Sequence, residues 1–198
     1  MKTVEFYYDL VSPYSYLARG RVAGICESVG AELVMRPAFL GGVHKLSGNQ
    51  APVAVPLKGR HAVKDIHRWA RYYGLAMRFP EPFPFRTMTT MRAAVYCEEI
   101  GRLDEFNREA FRLYWEEGGA PEGLEADESG PLKEVARRVG LDPEELLDAA
   151  GTDRVKVRLK EKTEAAVERG VFGMPTFFVG EEMFWGNDRL HFVQEALR

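Results

Sequence analysis

The chain has 198 residues with 45% hydrophobic and 12% aromatic content, enough to bury a sizeable core as one domain or two joined ones and too much for a disordered chain. Its 27 basic and 30 acidic residues leave a net charge of −3, which gives no general ground for nucleic acid or an anionic membrane as a partner. The opening MKTVEFYYD meets acidic residues where a signal peptide needs an apolar run, and no later run is long enough to span a bilayer, so a cytoplasmic protein is expected. Cys26 and Cys97 lie far apart and neither belongs to a C-x-x-C pair; without an export signal they are expected to be reduced, buried residues.

Val4, Phe6 and Tyr8 alternate with Glu5, Tyr7 and Asp9, the period of two that marks a strand. The strand passes through Ser12-Pro13-Tyr14-Ser15 into a helix over Pro13 to Val29. Ser12 suits the N-cap, and a proline at the first helical position loses only an N–H that would be unpaired there. Two readings of Ser12 are open. It caps the helix and nothing more, or an anion beside its hydroxyl, a thiolate or a phosphate, meets the free first-turn amides and the positive end of the helix dipole. Gly30 suits a left-handed helix end, and a second strand follows over Glu32 to Arg36. Pro37 to Gly59, with Gly41-Gly42, Gly48-Asn49, Pro52 and Pro56, reads as a long irregular segment of the kind that forms binding loops or lids.

From His61 the pattern is helical. Val63, Ile66, Ala70 and Tyr73 recur before Gly74, Met88, Met91, Val95 and Ile100 before Gly101, and a third helix is expected from Leu103 to Trp115. Phe79 to Phe85, broken by Pro80, Pro82 and Pro84, cannot be helical and is expected to form an extended apolar wall. Gly118 to Gly130 is expected to be the most exposed and least ordered stretch. Shorter helices start at Pro131 and at Pro143, the latter after the cap Asp142. A helix from Thr152 to Arg169 leads back to strands. Met174 to Val179 and Glu182 to Trp185 read as a hairpin around Gly180-Glu181, and Asn187 caps a last helix with the stripe Leu190, Val193 and Leu197. This order is an α/β fold with an insertion: 1–41 and 155–198 form a discontinuous sheet-bearing domain, and 42–154 form the irregular loop and an all-helical domain.

The element order, the tetrapeptide at the strand-to-helix junction and Met174-Pro175-Thr176 ahead of a strand resemble the thioredoxin superfamily in its DsbA-like arm. In that superfamily the tetrapeptide is C-x-x-C and the later proline is cis, which implies a cis Pro175. Here serine holds both cysteine positions, and a hydroxyl cannot form a disulfide. More closely, FYYDLVSPYSYLA at 6–18, SGNQAPVAVPLKGR at 47–60, DIHRWARYYGLAMRFPEPFPF at 65–85 and GVFGMPTFFVGEEMFWGNDRL at 170–190 resemble the 2-hydroxychromene-2-carboxylate isomerase family, whose relatives are the kappa-class glutathione transferases. The resemblance runs over essentially the whole chain.

It implies glutathione, or another low-molecular-weight thiol, as cofactor. Ser12 would be the catalytic residue, hydrogen-bonding the sulfur and raising its thiolate fraction. Met174 and Pro175 would lie beside the peptide backbone of glutathione, Asn187 and Asp188 at its γ-glutamyl end, and Asn49 and Lys58 would add contacts. Without the resemblance, Asn187 and Asp188 read as first-turn helix residues and Lys58 as a solvated charge. The implied reaction is reversible thiolate addition that interconverts 2-hydroxychromene-2-carboxylate and trans-o-hydroxybenzylidenepyruvate, a step of aromatic-degradation chemistry on a small aromatic carboxylate. No metal is implied.

Trp69, Phe83 and Phe85 are candidates to line the aromatic substrate, although helical and extended aromatics are more often simply core. Arg86 stands where the family would carry a small polar residue; it could grip a carboxylate or be a surface arginine. His67 and Arg68 are candidate donors to a developing enolate. Two other functions stay open: a kappa-like transferase or peroxidase acting on other electrophiles, and a non-catalytic thiol-binding module. A homodimer is implied by the resemblance alone.

Overall fold

The computed structural model describes residues 1–81, 83–119 and 128–198. Its one sheet has four strands, β1 (Thr3–Tyr8), β2 (Glu32–Pro37), β3 (Thr176–Val179) and β4 (Glu182–Trp185), in the order β2-β1-β3-β4. β1 and β2 are parallel, which requires a crossover, and α1 (Pro13–Val29) supplies it. β3 runs antiparallel to β1 and turns back into β4. The register sets Phe6 opposite Phe177, whose stacked rings lie 4.9 Å apart. Tyr7 faces the other way, into a cluster with Val43, Ala166, Val171, Met174 and Phe178. Both faces of β1 are therefore covered, as the aromatic run of its sequence requires.

Residues 37–59 are not the irregular segment their glycines and prolines suggest. They hold α2 (Leu40–Ser47), a 3-10 turn (Pro52–Ala54) and the start of α3 (Pro56–Tyr73), which begins at Pro56 and not His61. The first donors of α2 are satisfied from far along the chain, which no local pattern reveals. Phe39 N–H donates to Thr163 Oγ1 at 3.0 Å and Leu40 N–H to Asp9 Oδ2 at 2.7 Å. The glycine pair answers to packing: a Cβ on Gly41 would stand 2.9 Å from the Phe39 ring, and one on Gly42 2.9 Å from the Thr163 methyl.

The chain divides into two compact units, Met1–Leu75 with Lys162–Arg198, and Ala76–Glu161. The boundaries drawn from sequence at 41/42 and 154/155 both differ from this division. α3 belongs with the sheet because Tyr14 Oη lies 3.4 Å from its Asp65 and its Tyr73 Oη bonds the Asn187 carbonyl at 3.1 Å. The second limit falls inside α8 (Asp153–Glu168), which runs unbroken through the change of unit.

The second unit is helical, with α4 (Met88–Glu99), α5 (Leu103–Trp115), α6 (Ser129–Arg138) and α7 (Pro143–Gly151). α6 starts at Ser129, ahead of Pro131, and Asp142 caps α7 by accepting from the Glu144 and Glu145 amides at 2.9 and 2.8 Å. Phe79, Phe83 and Phe85 lie on a segment that is neither helix nor strand and set their rings 5.6 to 5.8 Å from Trp115. Of the stretch expected to be least ordered, 120–127 lie outside the described residues. Arg138 donates to both oxygens of Glu117 at 2.8 Å, a bidentate clasp from α6 back to the end of α5. Among the described residues no helix is long and apolar enough to cross a membrane.

A charged network closes one face of the sheet. Arg169, just after α8, sets its guanidinium 3.9 Å from the Phe178 ring centre, donates to the Tyr7 hydroxyl at 3.2 Å and pairs with Glu5. Arg36 Nε reaches Glu5 at 2.7 Å. Burial pushes the Glu5 carboxyl up, but the hydrogen bonds and charges of Arg169 and Arg36 outweigh it and hold the group below its ordinary 4.5. As pH falls, such a carboxyl is protonated first in the unfolded chain. Its contribution to stability is thus present above the unfolded pKa and lost as pH drops through the lower folded value. Glu5→Gln is expected to flatten the acid limb of the stability curve, seen as a smaller fall in Tm than wild type between about pH 5 and pH 3. Parallel curves for the two proteins would contradict this role.

Candidate active site

The site is built where β1 hands over to α1. Ser12 N–H donates to the Asp9 carbonyl at 3.1 Å, and the Asp9 carboxylate, fully buried, accepts from Val11 N–H at 3.0 Å and from Leu40 N–H of α2 at 2.7 Å. These bonds fix the turn that presents Ser12. Ser12 has extended backbone and is 3% exposed. Its Oγ accepts from Ser15 N–H at 3.2 Å, so it is the N-cap that the sequence implies. The same Oγ donates to the Met174 carbonyl at 3.0 Å. The Met174-Pro175 peptide is cis. Ser15, at the second cysteine position of the superfamily pattern, is fully buried, and its Oγ has no partner among the described residues.

The loop that carries Met174 is held from several sides. Gly186 N–H donates to the Pro175 carbonyl at 3.0 Å, Thr176 Oγ1 to the Gly173 carbonyl at 2.7 Å, and Asn49 Nδ2 to the Phe172 carbonyl at 2.8 Å. A Cβ on Gly173 would lie 2.8 Å from the Trp185 indole nitrogen, so a side chain there would displace that ring. Trp185 is 49% exposed and tilts against Phe172 at 4.9 Å.

Asn187 and Asp188 follow directly. Asn187 does not cap the last helix. It opens a 3-10 turn (Asn187–Arg189), and the cap position of α9 (Leu190–Ala196) falls on Arg189 with no side-chain bond. The reason is tertiary: Tyr73 takes the Asn187 carbonyl, and the Asn187 side chain turns inward, where its Nδ2 is buried without a partner among the described residues. Leu190, Val193 and Leu197 form the buried stripe of this end of the chain. Asp188 is exposed and pairs with Arg189. Burial pushes the Tyr14 hydroxyl up to about 12, helped by the charge and hydrogen bond of Asp65 and by the charge of Asp188, so this phenol stays protonated at any physiological pH.

Ser12 and Asn49 are thus bonded directly to the loop that carries Met174 and Pro175, and Asn187 follows Gly186, whose N–H bonds the same loop. Trp69 reaches the same neighbourhood through Tyr73, with ring centres 5.2 Å apart, and also packs edge-on against Tyr72. Lys58 is exposed on α3, in no ion pair among the described residues. His67 is half-buried, and Arg68 lies 3.9 Å from Asp65. Phe83, Phe85 and Arg86 belong to the helical unit: Phe85 stacks on Tyr114 at 4.5 Å, Phe83 packs on Trp115, and Arg86 is exposed. Sequence reasoning passed over Asp9, Asp65, Tyr73 and Trp185. For Asp9 the signal was present, a carboxylate set between a strand end and a helix cap.

Chemically, the site offers one hydroxyl at a helix N-terminus, a backbone acceptor beside it, a buried carboxamide N–H in want of an acceptor, and an exposed carboxylate. The helix end and hydroxyl suit a thiolate. The protein's own thiols are not candidates. Cys26 and Cys97 are free and buried, and burial pushes both up, Cys97 to about 12, so neither carries appreciable thiolate. Among the described residues no group of His, Cys, Asp and Glu could hold a metal ion.

Comparison with known proteins places the chain in a family. The DSBA-like thioredoxin domain family matches residues 3–198. The chain is 34% identical over 196 residues to the 2-hydroxychromene-2-carboxylate isomerase of Pseudomonas sp. (strain C18), covering 98% of this chain and 89% of that one. It is 30% identical over 210 residues to rat (Rattus norvegicus) glutathione S-transferase kappa 1, covering 99% and 91%. A solved structure of 2-hydroxychromene-2-carboxylate isomerase superimposes with a TM-score of 0.81 at 30% identity, over 98% of this chain and 94% of that one.

Proposed function

The chain belongs to the DSBA-like thioredoxin domain family and is an enzyme of the 2-hydroxychromene-2-carboxylate isomerase type, and from that premise we propose that it uses glutathione to interconvert 2-hydroxychromene-2-carboxylate and trans-o-hydroxybenzylidenepyruvate. The observation that carries this reading is the Ser12 hydroxyl, set at the N-terminus of α1 and bonded to the carbonyl that precedes cis Pro175.

The residues present fit glutathione. The orphaned Asn187 Nδ2 is a buried donor that the α-carboxylate of a γ-glutamyl group would satisfy, and Asp188 is a carboxylate for the adjoining ammonium. Asn49 and Lys58 supply further polar contacts from the α2–α3 region. When bound, glutathione would supply a thiolate nucleophile for reversible addition to the conjugated double bond of the ring-opened substrate. Ser12 and the positive end of the α1 dipole would hold that sulfur in its charged form. Serine at both tetrapeptide positions keeps the site from being spent as a disulfide. Trp69 is assigned to the substrate's aromatic ring. His67 and Arg68 are the donors assigned to the enolate oxygen, where charge develops. The active species is read as a homodimer.

The test is to follow the interconversion by absorbance with and without glutathione and to assay the glutathione afterwards. Turnover that needs glutathione and returns it unchanged is the expected result. Glutathione recovered as a conjugate would make the protein a kappa-like transferase, and no turnover from folded protein with glutathione present would overturn the isomerase assignment.

A further inference from the structure

We infer that the Ser12 hydroxyl is parked on the Met174 carbonyl and is released to a bound sulfur only when an amide N–H of the incoming thiol takes its place there, so that the site activates cysteinyl thiols and leaves simple thiols unactivated. This rests on the thiol-binding reading above and deepens it by naming the class of thiol.

A serine hydroxyl has a single proton to donate. Here that proton goes to the Met174 carbonyl at 3.0 Å, and the oxygen also accepts from Ser15 N–H at 3.2 Å. As the site stands, Ser12 has nothing to donate to a sulfur. Turning the hydroxyl toward a thiolate would strip the Met174 carbonyl of this donor, and with a bound thiol covering a site where Ser12 and Met174 are already only 3% and 6% exposed, water would be kept from replacing it. A buried acceptor left unpaired is penalised, and that penalty opposes thiolate formation. The exchange becomes favourable when the ligand brings its own donor. The Met174 carbonyl has two lone pairs, so an amide N–H can dock beside the Ser12 hydroxyl before the hydroxyl leaves.

The geometry allows one molecule to do both jobs. In a cysteinyl residue the amide nitrogen lies three covalent bonds from the sulfur, and the two protein oxygens they must reach are 3.0 Å apart. The donors balance. Before binding, Ser12 O–H is bonded to Met174 O and the ligand N–H to water. Afterwards the ligand N–H is bonded to Met174 O and Ser12 O–H to the thiolate, while the thiol proton has passed to solvent. Amide recognition and thiolate formation are therefore one event.

The experiment compares glutathione with its depsipeptide analogue, in which an ester oxygen replaces the cysteinyl amide N–H and the rest of the molecule is kept. The readout is the ultraviolet absorbance of the thiolate of the bound thiol as a function of pH, with isomerisation at saturating thiol as a second measure. On the wild-type protein the bound analogue is expected to show a thiolate fraction about 10-fold lower than bound glutathione near neutral pH, a difference of ~1.4 kcal/mol. On the Ser12→Ala protein the two thiols are expected to ionise alike, since no hydroxyl is left to release. Equal ionisation of the two on wild type would overturn the coupling while leaving the glutathione reading intact. Failure of the analogue to bind would overturn it too, because the coupling predicts a bound but unactivated thiol. A wild-type protein that binds no glutathione removes the reading underneath, and that result is distinct from either.

Discussion

Replacing Ser12 by alanine is expected to lower the glutathione-dependent kcat/KM by about 10²- to 10³-fold, the usual effect of removing one donor that stabilises developing charge in a closed site. The hydroxyl has two tasks, and they can be separated. As N-cap it satisfies the Ser15 amide at 3.2 Å, and losing that bond is expected to lower stability by about 1 kcal/mol. For a chain of this size that is roughly 2–4 °C in Tm, too little to unfold the protein at assay temperature. Glycine at an N-cap is only a few tenths of a kcal/mol worse than serine, so Ser12→Gly should keep most of the cap's contribution and melt above Ser12→Ala, both variants losing the bond to the Met174 carbonyl. Its activity should nonetheless fall as far as that of the alanine variant, because both lack the hydroxyl. Steady-state kinetics on the two variants, with melts run alongside, decide the matter. If Ser12→Gly keeps wild-type turnover, the hydroxyl is a cap and not part of the chemistry.

The handover from β1 to α1 was legible because its signals are local. A period-two run, a capping serine and a proline in the first helical turn state the same thing within a dozen residues, and α1 begins and ends where they place it. The β3–β4 hairpin was legible for the same reason. What the sequence hid was held by distant partners. α2 looks like a loop because its glycines are there for packing against Phe39 and Thr163, and because its first amides find acceptors on Asp9 and Thr163. The role of Asn187 was misread likewise: a cap is a local inference, whereas its carbonyl is claimed by Tyr73 from α3. The first domain limit followed from reading 37–59 as irregular, since such a segment had no evident reason to stay with the sheet.

The second large effect is expected at Asp9. Its carboxylate is fully buried and holds two backbone amides that belong to different elements, Val11 at 3.0 Å in the turn before α1 and Leu40 at 2.7 Å at the head of α2. Asp9→Ala leaves both N–H groups without that acceptor. At roughly 1–3 kcal/mol for each buried unsatisfied group, and with partial relief from water entering the gap, the loss should be about 3 kcal/mol. In a chain of this length that corresponds to a fall in Tm of roughly 6–12 °C. Asp9→Asn should recover only part of it, because a carboxamide has one acceptor oxygen, and its N–H₂ would face the second amide donor to donor. The kinetic pattern should be the reverse of that at Ser12. Asp9 touches no reacting group and acts by placing the turn that carries Ser12 and the helix that leads to Asn49, so activity should follow the folded fraction closely while stability takes the larger loss. Thermal melts and kinetics on both variants read this out. An Asp9→Ala protein that melts within about 1 °C of wild type would mean that the two amides find other acceptors and that the carboxylate does not hold the junction.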